Sequence, residues 1–464
     1  MRALLISTYD LGRQPFGLAS PAAWLRREGL EVRCVDLAKE RLTEGAMTEA
    51  DLIAFHLPMH TATRMAAPVI RKARALNATA RICAYGLYAP LNDAWLRSLG
   101  VDDVLGGEFE ADLAAIARGG RIASASATSA GEAAAAPLPK LTFLVPDRSG
   151  LPPLSRYAAV HMGDGTRRVA GHTEASRGCR HLCRHCPIVP VYNGQFRIVQ
   201  QEVVLADIDG QVAAGAEHIT FGDPDFFNGP THALRIVREL HHRHPTISYD
   251  VTIKIEHLLA HRELLPSLRD TGCLFITSAV ESIDDRVLAI LDKGHTRRDF
   301  VEAVALCRAA SVILVPTFVA FHPWGSLEDY NHLLDTIAAL GLVDQIAPIQ
   351  LAIRLLVPAG SRLLDLEDVR KMVGGAFDSQ TLTYRWTHPD PRVDALYHDV
   401  SAIVGRRLTS DRRETFVAIH ALARQRAGLP APEPFPQGQA GPVPYVDEPW
   451  YCCAEPTSEQ LTLV

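Results

Sequence analysis

Along the first 118 residues short apolar runs alternate with segments whose apolar positions recur every three or four residues. The runs Ala3–Ser7, Val32–Val35, Leu52–Phe55, Arg81–Tyr85 and Val101–Leu105 read as strands. Pro21–Glu28, Arg64–Ala75, Asn92–Leu99 and Ala111–Ala117 read as helices, and the link 36–51 carries no clear helical pattern. Crossovers of this length predict a doubly wound parallel sheet, an α/β domain over residues 1–118. Sheets of that kind bind ligands beyond the carboxyl ends of their strands. Those ends are Tyr9–Gly12, His56–His60, Gly86–Pro90 and Gly106–Glu110.

Residues 119–140 are built from Ala, Ser and Gly and read as a linker, which with the extended stretch to 164 forms a connection. A second βα series then begins. Its strands are predicted at Gly171–Ala175, His218–Gly222, Ser248–Lys254, Leu274–Val280, Ile313–Phe321 and Ile349–Leu355. Its helices are predicted at Val203–Ala214, Ala233–His241, Leu258–Asp270, Arg286–Leu291, Arg297–Ala310 and Leu327–Leu340. Six such strands suit a partial (β/α)6 barrel over residues 165–370, with its chemistry at the carboxyl ends of the strands. Residues 391–428 read as two helices of a small C-terminal region, 371–464. Residues 429–447 read as a Pro- and Gly-rich extended connection to the tail.

Composition narrows the function. The 464 residues carry 47 basic and 53 acidic side chains, a net charge of -6, so no basic footprint for nucleic acid is present. No apolar run reaches the roughly 18 residues of a membrane helix. The start MRALLISTYD reads as a first strand and not as a secretory signal, so no membrane partner and a cytoplasmic location are expected. Lysine occurs only at positions 39, 72, 140, 254, 293 and 371.

A reducing compartment makes clustered cysteines metal-binding or reactive. Cys34, Cys83, Cys273 and Cys307 sit singly in apolar stretches and read as buried small hydrophobes. Cys179, Cys183 and Cys186 form C-x3-C-x2-C in EASRGCRHLCRHCPIVP. A cubane cluster takes four protein thiolates when fully ligated, so three leave one iron open. An open iron can chelate the amino and carboxylate groups of a methionine, the arrangement that lets a reduced cluster cleave S-adenosylmethionine (SAM). Zinc is the alternative, with His181, His185 or a distant residue as fourth ligand.

C-x3-C-x2-C after the first strand of a βα barrel resembles the signature of the radical SAM superfamily. HITFGDPDFFNG stands where that superfamily has a glycine-rich turn after its second strand. SAVESIDDRVLAILDKGHT resembles the fourth-strand segment of members with a cobalamin-binding-type domain. The N-terminal sheet, with GGEFEADL after its fifth strand, resembles that domain. The tail YCCAEP, with GDPDFFNGP, resembles the group named for a CUAEP or CCAEP tail. The resemblance implies a [4Fe-4S] cluster and SAM as cofactors, cobalamin as a possible third, and an electron donor such as flavodoxin or ferredoxin. It implies that an enzyme's radical chemistry acts on a small-molecule or small-peptide substrate, by methyl transfer if cobalamin binds and by rearrangement or oxidation if not. The competing expectation is a non-catalytic iron–sulfur or zinc protein.

Further candidates lie at strand ends. Gly222 and Asp223 end the second barrel strand and Glu281 and Ser282 the fourth; a ligand-binding role competes with turn and cap roles for each pair. Alternation places Thr252, Lys254 and Glu256 on one face, the barrel interior. Lys254 is a candidate catalytic group there, with Arg354 a candidate cofactor ligand on the last strand. The run HHRH at 241–244 reads as a solvated helix end. Adjacent Cys452 and Cys453 are candidate catalytic thiols. The first βα loop, TYDLGRQPFG, has no histidine, so any cobalamin is expected without histidine ligation from that loop.

Overall fold

A computed structural model of the chain describes residues 1–120, 140–407, 411–432 and 443–447. Apolar residues on both faces of the first five strands drive a sheet covered on two sides. The strands are β1 (Arg2–Ser7), β2 (Glu31–Asp36), β3 (Leu52–His56), β4 (Arg81–Tyr85) and β5 (Asp103–Leu105). They pair in the order β2-β1-β3-β4-β5, all parallel, with Ala3 opposite both Val32 and Leu52. Leu4, Ile6, Ile53 and Phe55 feed one core; Leu5, Leu52, Ala54 and Tyr85 feed the other. The order reverses between β1 and β3, and the crevice beyond their carboxyl ends is where such sheets bind ligands.

The second sheet has seven strands: β6 (Ala159–His161), β7 (Arg167–Thr173), β10 (His218–Phe221), β11 (Ser248–Thr252), β12 (Cys273–Glu281), β13 (Ile313–Phe318) and β14 (Tyr445–Val446). Its order is β13-β12-β11-β10-β7-β6-β14. The five strands from β7 to β13 are mutually parallel. A small hairpin, β8 (Ser176–Gly178) with β9 (Phe196–Ile198), brackets the cysteine loop. The fold is thus the expected pair, a doubly wound sheet and a partial barrel. Helices of the barrel layer begin where side chains supply caps: Thr296 with Asp299 and Ser326 with Asp329 form reciprocal capping boxes.

Several expectations need correction. The predicted strand Ile349–Leu355 is a short 3-10 turn at Pro348–Leu351 followed by a single parallel bridge between Phe321 and Arg354. Pro348 removes a ladder donor, which helps explain the loss. The strand β11 stops at Thr252 and a helix runs from Ile255 to Ala260, so Lys254 and Glu256 do not continue a strand alternation. The predicted helix Leu258–Asp270 is broken at His261 into three short pieces, with Pro266 starting the last. The first helix begins earlier than predicted, at Phe16, and the link 36–51 contains a turn of helix at Glu44–Thr48. Two strands beyond β7 were not foreseen. Within the connection, β6 pairs antiparallel with β7, and β14 pairs antiparallel with β6. Cys34, Cys83, Cys273 and Cys307 are buried, as the sequence suggested.

Candidate active site at the cysteine loop

The cysteine loop leaves the barrel after β7. Gly178 precedes it with φ +74°, and a Cβ there would lie 2.4 Å from the Tyr192 ring, so only glycine lets the hairpin turn directly into Cys179. The Cys179 N–H donates to the Gln195 carbonyl at 3.1 Å, and the Cys186 N–H donates to Cys183 at 3.2 Å. Asn228 holds the loop from the other side: its Oδ1 accepts from the Arg180 N–H at 3.2 Å and lies 3.9 Å from the Cys179 sulfur. Cys179 and Cys183 are buried and Cys186 is half-buried. Burial pushes the Cys179 thiol up to about 11, a cost that coordination of a metal removes by taking the proton.

The loop opens on a cavity of about 430 Å³. One wall is the barrel, with all three cysteines, Gly222, Asp223, Lys254 and Glu281. The other wall is the switch point of the N-terminal sheet, with Asp10, Arg13, His56 and Met59. Both sheets therefore present the carboxyl ends of their strands to one space.

Lys254 places its Nζ 3.7 Å from the Cys183 sulfur and 3.6 Å from Glu256. Glu281 ends β12 at a register shift with φ +69°, an uncommon conformation for a residue with a side chain. Its Oε1 receives Lys293 Nζ at 3.3 Å and His185 Nε2 at 3.1 Å. Burial acts to raise the Glu281 carboxyl, but Lys293 and His185 outweigh it and hold the group at about 2. Burial opposes the charge of Lys293, yet Glu281 and the thiols of Cys183 and Cys186 raise it above its ordinary value. Beyond the loop, Asp225 meets His257 at 2.7 Å and His181 at 3.5 Å. Burial would raise Asp225, but those two rings lower it below the usual carboxylate range.

Asp223 is a brace. Its oxygens accept from the Ala175 N–H at 2.8 Å and the Ser176 hydroxyl at 2.5 Å, tying β10 to the chain that enters the loop. Burial pushes it up to about 7. Gly222 is a packing requirement, since a Cβ would sit 2.4 Å from His172 Nε2. Gly222→Ala is expected to cost about 1–3 kcal/mol by displacing His172; a denaturation midpoint within error of the wild type would contradict this. Ser282 accepts from the Asp284 N–H at 3.1 Å in the turn after β12 and does not line the cavity. Arg354 is directed away from the site. It meets Asp394 at 2.7 Å, donates to the Trp386 carbonyl at 2.9 Å and stacks on the Trp386 ring at 3.6 Å. It fastens the last barrel bridge to the C-terminal helices. Cys452 and Cys453 lie outside the described residues.

The sequence reading missed Lys293, Asn228 and Arg177. Lysine scarcity could have flagged Lys293. Arg177 carries no motif. It is buried at the domain boundary, 2.7 Å from Glu110, 2.7 Å from Glu174 and 3.6 Å from Glu108.

The donor set fits a cluster better than a single ion. Among the described residues, the one set of three ligand atoms lying within 4.8 Å of one another is Cys179, His181 and Asp225. The three thiols are not such a set, whereas a polynuclear centre takes well-separated thiolates. Lysines at positions 254 and 293 supply positive charge beside them.

Comparison with known proteins agrees. Residues 173–337 match the Radical SAM superfamily. Two tRNA-2-methylthio-N(6)-dimethylallyladenosine synthases are similar, each 27% identical: that of Syntrophobacter fumaroxidans over 184 residues, 37% of this chain, and that of Chlorobium phaeobacteroides over 176 residues, 36%. The match spans only 39% of the length of each relative. Among solved structures, the radical SAM methyltransferase TsrM from Kitasatospora setae, with tryptophan and a SAM analogue, aligns with TM-score 0.59 at 18% identity, covering 73% of this chain and 71% of that one. The cobalamin-dependent SAM radical enzyme OxsB aligns with TM-score 0.66 at 13% identity, covering 92% and 71%. No helix among the described residues is long and apolar enough to cross a membrane. The cofactors of the matched family are the two expected from the cysteine loop, a [4Fe-4S] cluster and SAM, and residues 173–337 form a Radical SAM superfamily domain.

Proposed function

We propose that the chain is a radical SAM enzyme that holds its cluster on Cys179, Cys183 and Cys186 and cobalamin on its N-terminal sheet, for methyl transfer to a small-molecule substrate. The observation that supports this reading is the single cavity lined by the cysteine loop on one side and by the β1–β3 switch point on the other. TsrM and OxsB, which share the fold, are described with SAM or its analogue and with cobalamin. When bound, the cluster and SAM supply one-electron cleavage of a carbon–sulfur bond, fed by a carrier such as flavodoxin or ferredoxin, and cobalamin supplies a methyl carrier.

The residues of the chain bind, orient and keep dry. Lys254 and Lys293 balance thiolate charge. Glu281 is fixed by Lys293 and His185, so a carboxylate of settled orientation faces the cavity, available to a hydroxyl or an amine. Phe221, Phe275 and Ile353 line the barrel side and exclude water. In the β1 loop Arg13 lines the cavity and leans on His172 Nε2 at 3.4 Å. Cobalamin is therefore expected to bind without a histidine on cobalt. Titration with cobalamin followed by electron paramagnetic resonance of the cob(II)alamin form tests this. Stoichiometric uptake without nitrogen splitting from a protein histidine is expected. Failure to bind would remove the methyl-transfer reading, and coordination by His56 would overturn the ligand-free mode.

Cys452 and Cys453 are proposed to act in turnover. Strand β14 lines the cavity, and Cys452 follows Asp447 by five residues, a span of at most ~18 Å. In Cys452→Ala, Cys453→Ala and a chain ending at Pro449, SAM cleavage is expected to persist while product formation fails. Full product from the shortened chain would refute the role.

A further inference from the structure

The barrel interior holds a carboxylate that the cysteine loop does not use. Asp250, on β11, lines the same cavity and is only 6% exposed. Two groups bond its Oδ1: Thr220 Oγ1 at 2.6 Å and His218 Nε2 at 2.9 Å.

The polarity of this network follows from its far end. Arg168 Nη1 donates to Ser248 Oγ at 2.8 Å, and a guanidinium can only donate. The serine's one hydrogen is then free for His218 Nδ1, 2.8 Å away. With Nδ1 accepting, Nε2 carries the ring proton and donates to Asp250; the tautomer is assigned from these bonds. Both donors fall on Oδ1. No group among the described residues bonds Oδ2.

The cations lining the cavity are engaged elsewhere. Lys254 faces Cys183 and Glu256, Lys293 faces Glu281, and Arg177 faces its three glutamates. Arg412 lies over the Tyr445 ring at 4.4 Å, and Arg13 meets His172 Nε2 at 3.4 Å. A largely buried carboxylate whose second oxygen has no partner among the described residues is completed by a hydrogen-bond donor that enters the cavity. The group that fits is a cation that donates hydrogen bonds. Phe275, stacked against His218 at 6.3 Å, gives the neighbouring wall an apolar surface for a carbon stem.

We propose that Asp250 anchors the protonated amine of a small-molecule amine substrate inside the barrel, His218 and Thr220 holding its carboxylate in place. The proposal rests on the enzyme reading above and names its substrate class.

The test uses the full chain with its iron reconstituted and n-butylamine, n-butanol and butyrate as simple probes, titrated calorimetrically at neutral pH. The wild type is expected to prefer n-butylammonium over n-butanol by about tenfold and to bind butyrate least. In Asp250→Asn the amine preference is expected to vanish. Thr252→Leu, which narrows the path along the same strand and leaves the Asp250 bonds intact, is expected to weaken amine and alcohol alike. Equal wild-type binding of amine and alcohol, or an undiminished preference in Asp250→Asn, would overturn the anchor. Should Asp250→Asn fail to fold, shown by circular dichroism and lost iron, the wild-type comparison and Thr252→Leu decide alone. Assaying 5′-deoxyadenosine on the same wild-type samples separates the two readings: its formation without amine preference removes only the anchor. Amine preference without 5′-deoxyadenosine removes the enzyme reading.

Discussion

Alanine at any one of Cys179, Cys183 or Cys186 is expected to lower SAM cleavage to the level of a control without protein. The three residues share one loop, fixed at one end by Gly178 and at the other by the turn in which the Cys186 N–H meets the Cys183 carbonyl. Two thiolates cannot hold a cubane that keeps one iron open. Loss of Cys183 also strips Lys254 of the sulfur at 3.7 Å, leaving a buried ammonium with Glu256 alone. Iron per chain and 5′-deoxyadenosine yield are the measurements. Wild-type yield from any single variant would end the assignment of that residue as a cluster ligand.

Arg177→Met is expected to cost about 3–5 kcal/mol, because it leaves buried carboxylates without their counter-charge. Glu110 is fully buried and also receives the Ser20 hydroxyl at 2.7 Å; Glu108 is buried too, and burial pushes it up to about 7 even with Arg177 near. Arg177 further lies over the rings of Phe143 at 4.9 Å and Phe109 at 5.4 Å, so one side chain joins the barrel, the connection and the N-terminal sheet. It immediately precedes the Gly178–Cys179 turn, and lower iron retention is expected alongside the lost stability. Urea denaturation of each domain's transition checks the first effect. The double variant Arg177→Met with Glu110→Gln is expected to recover part of the loss. A single variant within about 1 kcal/mol of wild type would show that the brace is dispensable.

What was legible in the sequence is what repeats locally. Apolar runs such as Leu4–Ile6 and Leu52–Phe55 identify a two-sided sheet because each residue needs a buried face, and the cysteine spacing needs no tertiary information. Distant partners decided the rest. Lys254 keeps its place near Cys183 although the strand that was to carry it ends at Thr252. Arg354 looks like an interior residue by alternation, yet the single bridge at that position lets it turn to Asp394 and Trp386. Asp223 lines the cavity as a strand end, and its bonds to Ala175 and Ser176, 48 and 47 residues away, add a bracing role that no local pattern shows. No local pattern announces Arg177, whose three carboxylates come from two domains.

The most direct test of the central claim is the reaction of anaerobically reconstituted protein with SAM and dithionite, followed by chromatography. The account predicts a brown protein that forms 5′-deoxyadenosine and methionine in equal amounts. A colourless protein that retains zinc and leaves SAM intact would contradict it.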